Sequence, residues 1–262
     1  MKIIKQTLIW LTLFSIAMGY LETSVVVYLR ELYYPAGFNF PLTPIQPSIA
    51  ITEFWREVAT IIMLWGVGVM AGRTKTEKFA FFLYSFAIWD IFYYIFLKVL
   101  IDWPASLLNW DILFLIPVPW VGPVIAPCLV SLTMILLALA IAYFQEKGYK
   151  TFIQWKEWAL LTAGSLTVIL SFIWDYLQYV DQWGGLIKLW SVTSQESLFT
   201  EAPRYIPQHF DWWIFWLGEI LLLLAVALFA KRTLSKPIRK HYKLASPGPV
   251  HSGNFADYLD GL

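Results

Sequence analysis

Six long apolar runs constrain this chain more than any other feature. They cover residues 7–29, 50–71, 79–101, 121–144, 158–180 and 212–230. Each matches the roughly 20 apolar residues that a helix needs to cross a bilayer. Hydrocarbon offers backbone groups no partner, so such runs fold as helices that satisfy their own N–H and C=O groups. The sequence therefore predicts an all-α polytopic membrane protein with six transmembrane helices. No series of alternating segments of about ten residues suggests a barrel. Composition agrees: 59% of the 262 residues are hydrophobic and only 14% are charged. A soluble domain carries about a quarter charged residues.

The stretch 85–127 is the organising segment. Asp90 sits inside an otherwise apolar run, and Pro117, Pro119, Pro123 and Pro127 follow. Residues 102–120 are apolar but interrupted by proline, which removes a backbone donor and ends helices. They are expected to form an interfacial or re-entrant segment between spans three and four. Irregular backbone at that depth is tolerated only where protein or water satisfies it. Residues 1–243 read as a single transmembrane domain and 244–262 as a polar tail. The N-terminal run resembles a signal peptide near Ala17, but it continues well past that point and reads as a retained helix.

Basic residues orient the bundle, because cytoplasmic loops carry the excess of Lys and Arg. Fourteen of the 19 flank what is then the inner side, from Lys2 and Lys5 to Lys240 and Lys243. Both termini are expected in the cytoplasm. Short loops and the absence of N-x-S/T sequons fit a bacterial inner membrane.

Several function classes fall away. A net charge of +1 gives no reason to expect a nucleic-acid partner. The lone Cys128 allows no intrachain disulfide or thiolate metal cluster. His209, His241 and His251 lie outside the apolar runs, which disfavours intramembrane zinc, haem or histidine acid–base chemistry. No metal site is expected, and nothing in the sequence names a cofactor. Phosphate-loop, dinucleotide, zinc-protease and serine-hydrolase motifs are absent.

What remains is a set of acids inside the spans: Glu22, Glu53, Glu57, Asp90, Asp175 and Glu219. A charge at mid-bilayer costs about 2.5–3.5 kcal/mol on insertion scales, so such residues are rare and usually functional. Measured from the outer end of each span at about 1.5 Å per residue, Glu22, Glu57 and Glu219 lie about 10 Å deep, Asp175 about 8 Å and Asp90 about 16 Å. None falls in the inner half. That asymmetry predicts one polar cavity opening outward. On span two, Glu53, Arg56, Glu57 and Thr60 share a helix face, so Arg56 is expected to pair with Glu53 or Glu57. Tyr94 and Tyr179 lie one turn outward of Asp90 and Asp175 and could orient those carboxylates.

Span three carries Ile88-Trp89-Asp90 with Tyr94 four residues after the acid. Span five carries Ile173-Trp174-Asp175 with Tyr179 in the same place. Trp103 and Trp110 follow the first motif, and Trp183 and Trp190 the second. The spacing from acid to first tryptophan differs, and aromatics belong at membrane interfaces in any case. Coincidence outweighs duplication; a true repeat would make Asp90 and Asp175 equivalent in depth and role.

Glu22, Arg56, Glu57, Asp90, Tyr94, Asp175, Tyr179 and Glu219 are thus the expected substrate- or ion-binding residues. The leading expectation is a proton- or cation-coupled carrier whose ligand is a small cation, a proton or a lipid. A membrane-embedded enzyme acting on a lipid or isoprenoid is the alternative, with Arg56 on a phosphate or carboxylate. A non-catalytic subunit of a larger membrane complex is the third. Partners are then the lipid bilayer, the ligand, and a second copy or other membrane subunits.

Overall fold

A computed structural model describes residues 2–114, 118–181 and 205–235, with the side chains of residues 2 and 3 left aside. Pro117, Trp183, Trp190 and the tail 244–262 lie outside the described residues.

Six helices, each long and apolar enough to cross a membrane, make up the described chain. They are α1 (Lys2–Tyr33), α2 (Pro47–Ala71), α3 (Lys75–Ile101), α4 (Ile125–Glu146), α5 (Trp155–Asp181) and α6 (Trp212–Leu234). This is the build of a polytopic membrane protein. Most of the helices overrun the apolar runs, by up to five residues, because hydropathy marks the hydrocarbon-matched part and not the helix ends; α4 instead starts four residues later than the expected 121, because residues 120–123 are strand. Leu13, Met70, Leu136 and Leu166 are among many large apolar side chains left exposed on their outer faces.

The proline-rich connection holds a difference. Trp110–Phe114 (β1) and Trp120–Pro123 (β2) form an antiparallel hairpin, with Asp111 opposite Gly122 and an irregularity between Ile112 and Phe114. Pro119 and Pro123 forbid continuous helix there. A hairpin satisfies the backbone instead, and Val124 and Ile125 donate to the carbonyls of Asn109 and Leu107 to close its base.

Helix α3 is the hub. It packs on α1 and α2 on one side and on α4 on the other. Helix α6 then packs on α4 and, most extensively, on α5. Lipid tails are as apolar as leucine, so close packing holds such helices together. Glycines provide it. A Cβ on Gly218 would lie 2.8 Å from Val168 N and 2.9 Å from Gly164 O of α5. On α2, a Cβ on Gly68 would lie 2.6 Å from Phe82 N, and one on Gly72, the residue that caps α2, 2.5 Å from Lys78 N; both nitrogens belong to α3. The small-residue spacing of Gly68 and Gly72 thus forms the α2–α3 seam.

The two ends differ. At the end rich in lysine and arginine, Thr74 and Glu77 form a capping box for α3. There Arg232 Nε donates to Glu157 Oε1 at 2.6 Å, tying α6 to the start of α5. At the opposite end, the α1–α2 loop, the hairpin and residues 205–211 meet in an aromatic layer. Phe38 packs on Trp103, Phe40 on Tyr205 and Trp120 on Phe172. Two pairs of helices stay apart beneath this layer. Helices α1 and α2 barely touch, and α3 meets α5 at isolated points such as Phe79 against Trp158. Those gaps are cavities.

Candidate functional site: a carboxylate-lined cavity

The gap between α1 and α2 is a cavity of about 190 Å³. Helix α3 forms its back wall, β1 one side, and the loop 34–46 folds over it. That loop is held by the Thr43 N–H donating to Tyr34 Oη at 2.8 Å. Glu22, Glu53, Glu57, Asp90 and Asp111 line the cavity, with Arg30, Arg56, Tyr93 and Tyr94. Glu53 and Glu57 are buried, and so are Arg30 and Asp111.

Two arginines organise the charges. Arg56 donates to Glu53 Oε2 at 2.8 Å within α2 and to Glu22 Oε1 across to α1. Thr60 donates to the other Glu22 oxygen at 3.4 Å. The helical spacing of Glu53, Arg56 and Thr60 puts them on one face, which turns toward Glu22. Arg56 therefore bridges two helices that otherwise scarcely meet.

Arg30 forms a separate pair with Asp111, at 3.1 Å and over nine-tenths buried. The Arg30 guanidinium also lies 3.9 Å from the Trp103 ring centroid and 4.5 Å from that of Phe38. Burial pushes the Asp111 carboxyl, on the hairpin, up to about 6, while the Arg30 guanidinium, the Ile112 N–H and the Tyr94 hydroxyl pull the other way. The sequence reading missed this pair, placing Arg30 in the loop after span one and Asp111 in an irregular segment. Each is an isolated charge beside an apolar run, which was the available signal.

Asp90 is different. Ser131 of α4 donates to its Oδ2 at 2.9 Å. Among the described residues no Lys, Arg or His forms an ion pair with it. Counted as charges, five carboxylates face two guanidiniums, so the cavity carries an excess of acid. Among the described residues no three His, Cys, Asp or Glu side chains converge as metal ligands.

Of the expected residues, Glu22, Arg56, Glu57, Asp90 and Tyr94 line this cavity. Asp175, Tyr179 and Glu219 lie elsewhere. Asp175 accepts from Tyr205 Oη at 2.6 Å and from the backbone N–H groups of Gln208 at 3.2 Å and His209 at 3.0 Å. It fastens the segment 205–211 to α5. Burial raises the Tyr205 hydroxyl far above its ordinary value, and the bond to Asp175 raises it further, so it remains a donor. Tyr179 packs on the Tyr205 ring at 5.3 Å. Glu219 is buried and accepts from Thr133 of α4 at 2.8 Å. The motif shared by spans three and five thus gives two different surroundings.

Tyr205→Phe should lower stability by about 1.5–3 kcal/mol, the range for a hydrogen bond to a charged group. The thermal midpoint in detergent and protease cleavage between α5 and α6 check it, cleavage rising in the variant.

No protein-family model matches this sequence, and comparison with curated proteins and with solved structures returns no match.

Proposed function

We propose that this protein is a membrane carrier that binds a proton or a cationic substrate in the α1–α2–α3 cavity, with Asp90 as the binding carboxylate. The observation that carries this reading is the uneven charge balance. Both arginines of the cavity are engaged by carboxylates, and among the described residues Asp90 has only a serine hydroxyl. An ionised carboxylate out of water needs a compensating charge or takes up a proton. A cation supplies the first and a coupled proton the second. Exchange between the two is the elementary step of proton-coupled cation transport. The bias of Lys and Arg toward the other end favours a cavity that opens to the outside, with both termini in the cytoplasm.

Full-length protein in proteoliposomes tests this. Methylamine uptake and proton flux, the latter reported by an internal pH dye, are the readouts. Asp90→Asn keeps the shape and removes the charge. At least a tenfold loss of both signals is expected. Unchanged uptake and unchanged flux in that variant would rule the reading out. Ser131→Ala should act in the same direction but more weakly, since it removes one hydrogen bond from a carboxylate that remains.

A further inference from the structure

The second gap, between α3 and α5, is another cavity, of about 170 Å³. Its walls are apolar: Phe86, Val130, Met134, Val168, Ile169 and Phe172 contribute from three helices. The two cavities share four wall residues, Trp89, Asp90, Leu113 and Phe114. Among the described residues, Asp90 is the one ionisable group on the second wall. One side of it faces a space rich in carboxylates, and the other an apolar chamber. Ser165, exposed on α5, stands at the edge of that chamber.

Trp89 adds an independent sign. It is 6% exposed, and its indole N–H is buried without a hydrogen-bond partner among the described residues. The Trp120 indole N–H, on the apolar side, is in the same position. A buried donor without an acceptor costs about 1–3 kcal/mol. Two such donors on the walls of one chamber call for something that can receive them. In an apolar chamber, the face of an aromatic ring is a fitting receiver, through an N–H···π contact.

From this juxtaposition we infer that the cationic substrate is an arylalkylamine, with its ammonium at Asp90 and its ring in the apolar chamber. This rests on the carrier reading above and names the class of substrate. Size agrees, since apolar cavities of about 150 Å³ accept benzene. Recognition then divides cleanly. The carboxylate fixes the charged end, and the chamber rewards an apolar body that small inorganic cations lack.

The test is calorimetric binding to the full chain in nanodiscs, with 2-phenylethylamine and methylamine as probes. 2-Phenylethylamine should bind at least ten times more tightly than methylamine. Ile169→Trp, which fills the chamber, should bring it down to the methylamine level. Ser165→Trp crowds the exposed edge and should do likewise without burying new bulk in the core. Asp90→Asn should abolish binding of both amines. Equal affinities for the two amines, with both lost in Asp90→Asn, would overturn the arylalkylamine assignment and leave the carrier reading standing. Binding of both amines untouched by Asp90→Asn would overturn both.

Discussion

Arg30→Met is expected to destabilise the protein by about 3–5 kcal/mol, the range for removing one partner of a buried ion pair. The loss has a specific origin. Asp111 is 2% exposed, and among the described residues its carboxylate takes its one ion pair from Arg30. Without the guanidinium, that carboxylate either remains buried and uncompensated or takes up a proton. Packing is lost as well, because the guanidinium lies over Trp103 and Phe38. The double variant Arg30→Met with Asp111→Leu separates the two contributions. Replacing both partners of a buried pair by apolar groups is often neutral or even stabilising. The double variant should therefore recover most of the loss, with the remainder reporting the aromatic contacts. Thermal unfolding in detergent, followed by intrinsic tryptophan fluorescence, measures the cycle. A double variant as unstable as Arg30→Met alone would assign the loss to packing and not to charge.

Gly218→Val is expected to cost at least about 3 kcal/mol, at the upper end of the range for overpacking a tight interface. The new Cβ would meet the backbone of Val168 and Gly164 at 2.8 and 2.9 Å, and backbone cannot swing aside as a side-chain tip can. Helices α5 and α6, the most extensively packed pair in the fold, would have to separate. Gly66→Ala is the matched control. Nothing lies within 4 Å of its added carbon, so the change should stay within about 1 kcal/mol, the helix-propensity difference between the two residues. The fraction of folded monomer after heating and size-exclusion chromatography distinguishes the pair. If Gly218→Val survives as well as Gly66→Ala, the close α5–α6 contact is not a stability determinant.

The six helices were legible because hydropathy reports directly on the solvent, and hydrocarbon leaves the backbone one local solution. Arg56 with Glu53 was legible too, since a three-residue spacing fixes which side chains share a face. Glu22 joining them was not, because helix rotation about its own axis is set by partners far away in sequence. The same limit explains Asp175. It shares its local motif with Asp90, but a motif says nothing about azimuth, and Asp175 faces the segment 205–211 and not the cavity. The hairpin was illegible for another reason. Trp110–Phe114 is apolar apart from Asp111 and does not alternate, so period could not separate strand from buried helix. Asp111 was hidden with it.

Helix α2 has the geometry of a lever. It is the least buried of the six helices and leans mainly on α3. Its fulcrum is the seam at Gly68 and Gly72, where backbone meets backbone. Arg56 lies twelve residues from Gly68, about 18 Å along the axis at 1.5 Å per residue. A rotation of about 10° about the fulcrum moves that point by about 3 Å, more than a hydrogen bond can stretch. The far arm is thus held to α1 at Glu22, by the Arg56 guanidinium and the Thr60 hydroxyl. A ligand that competes for Glu22 would act where the mechanical advantage is greatest, and a change of state at one carboxylate would become a displacement of a whole helix.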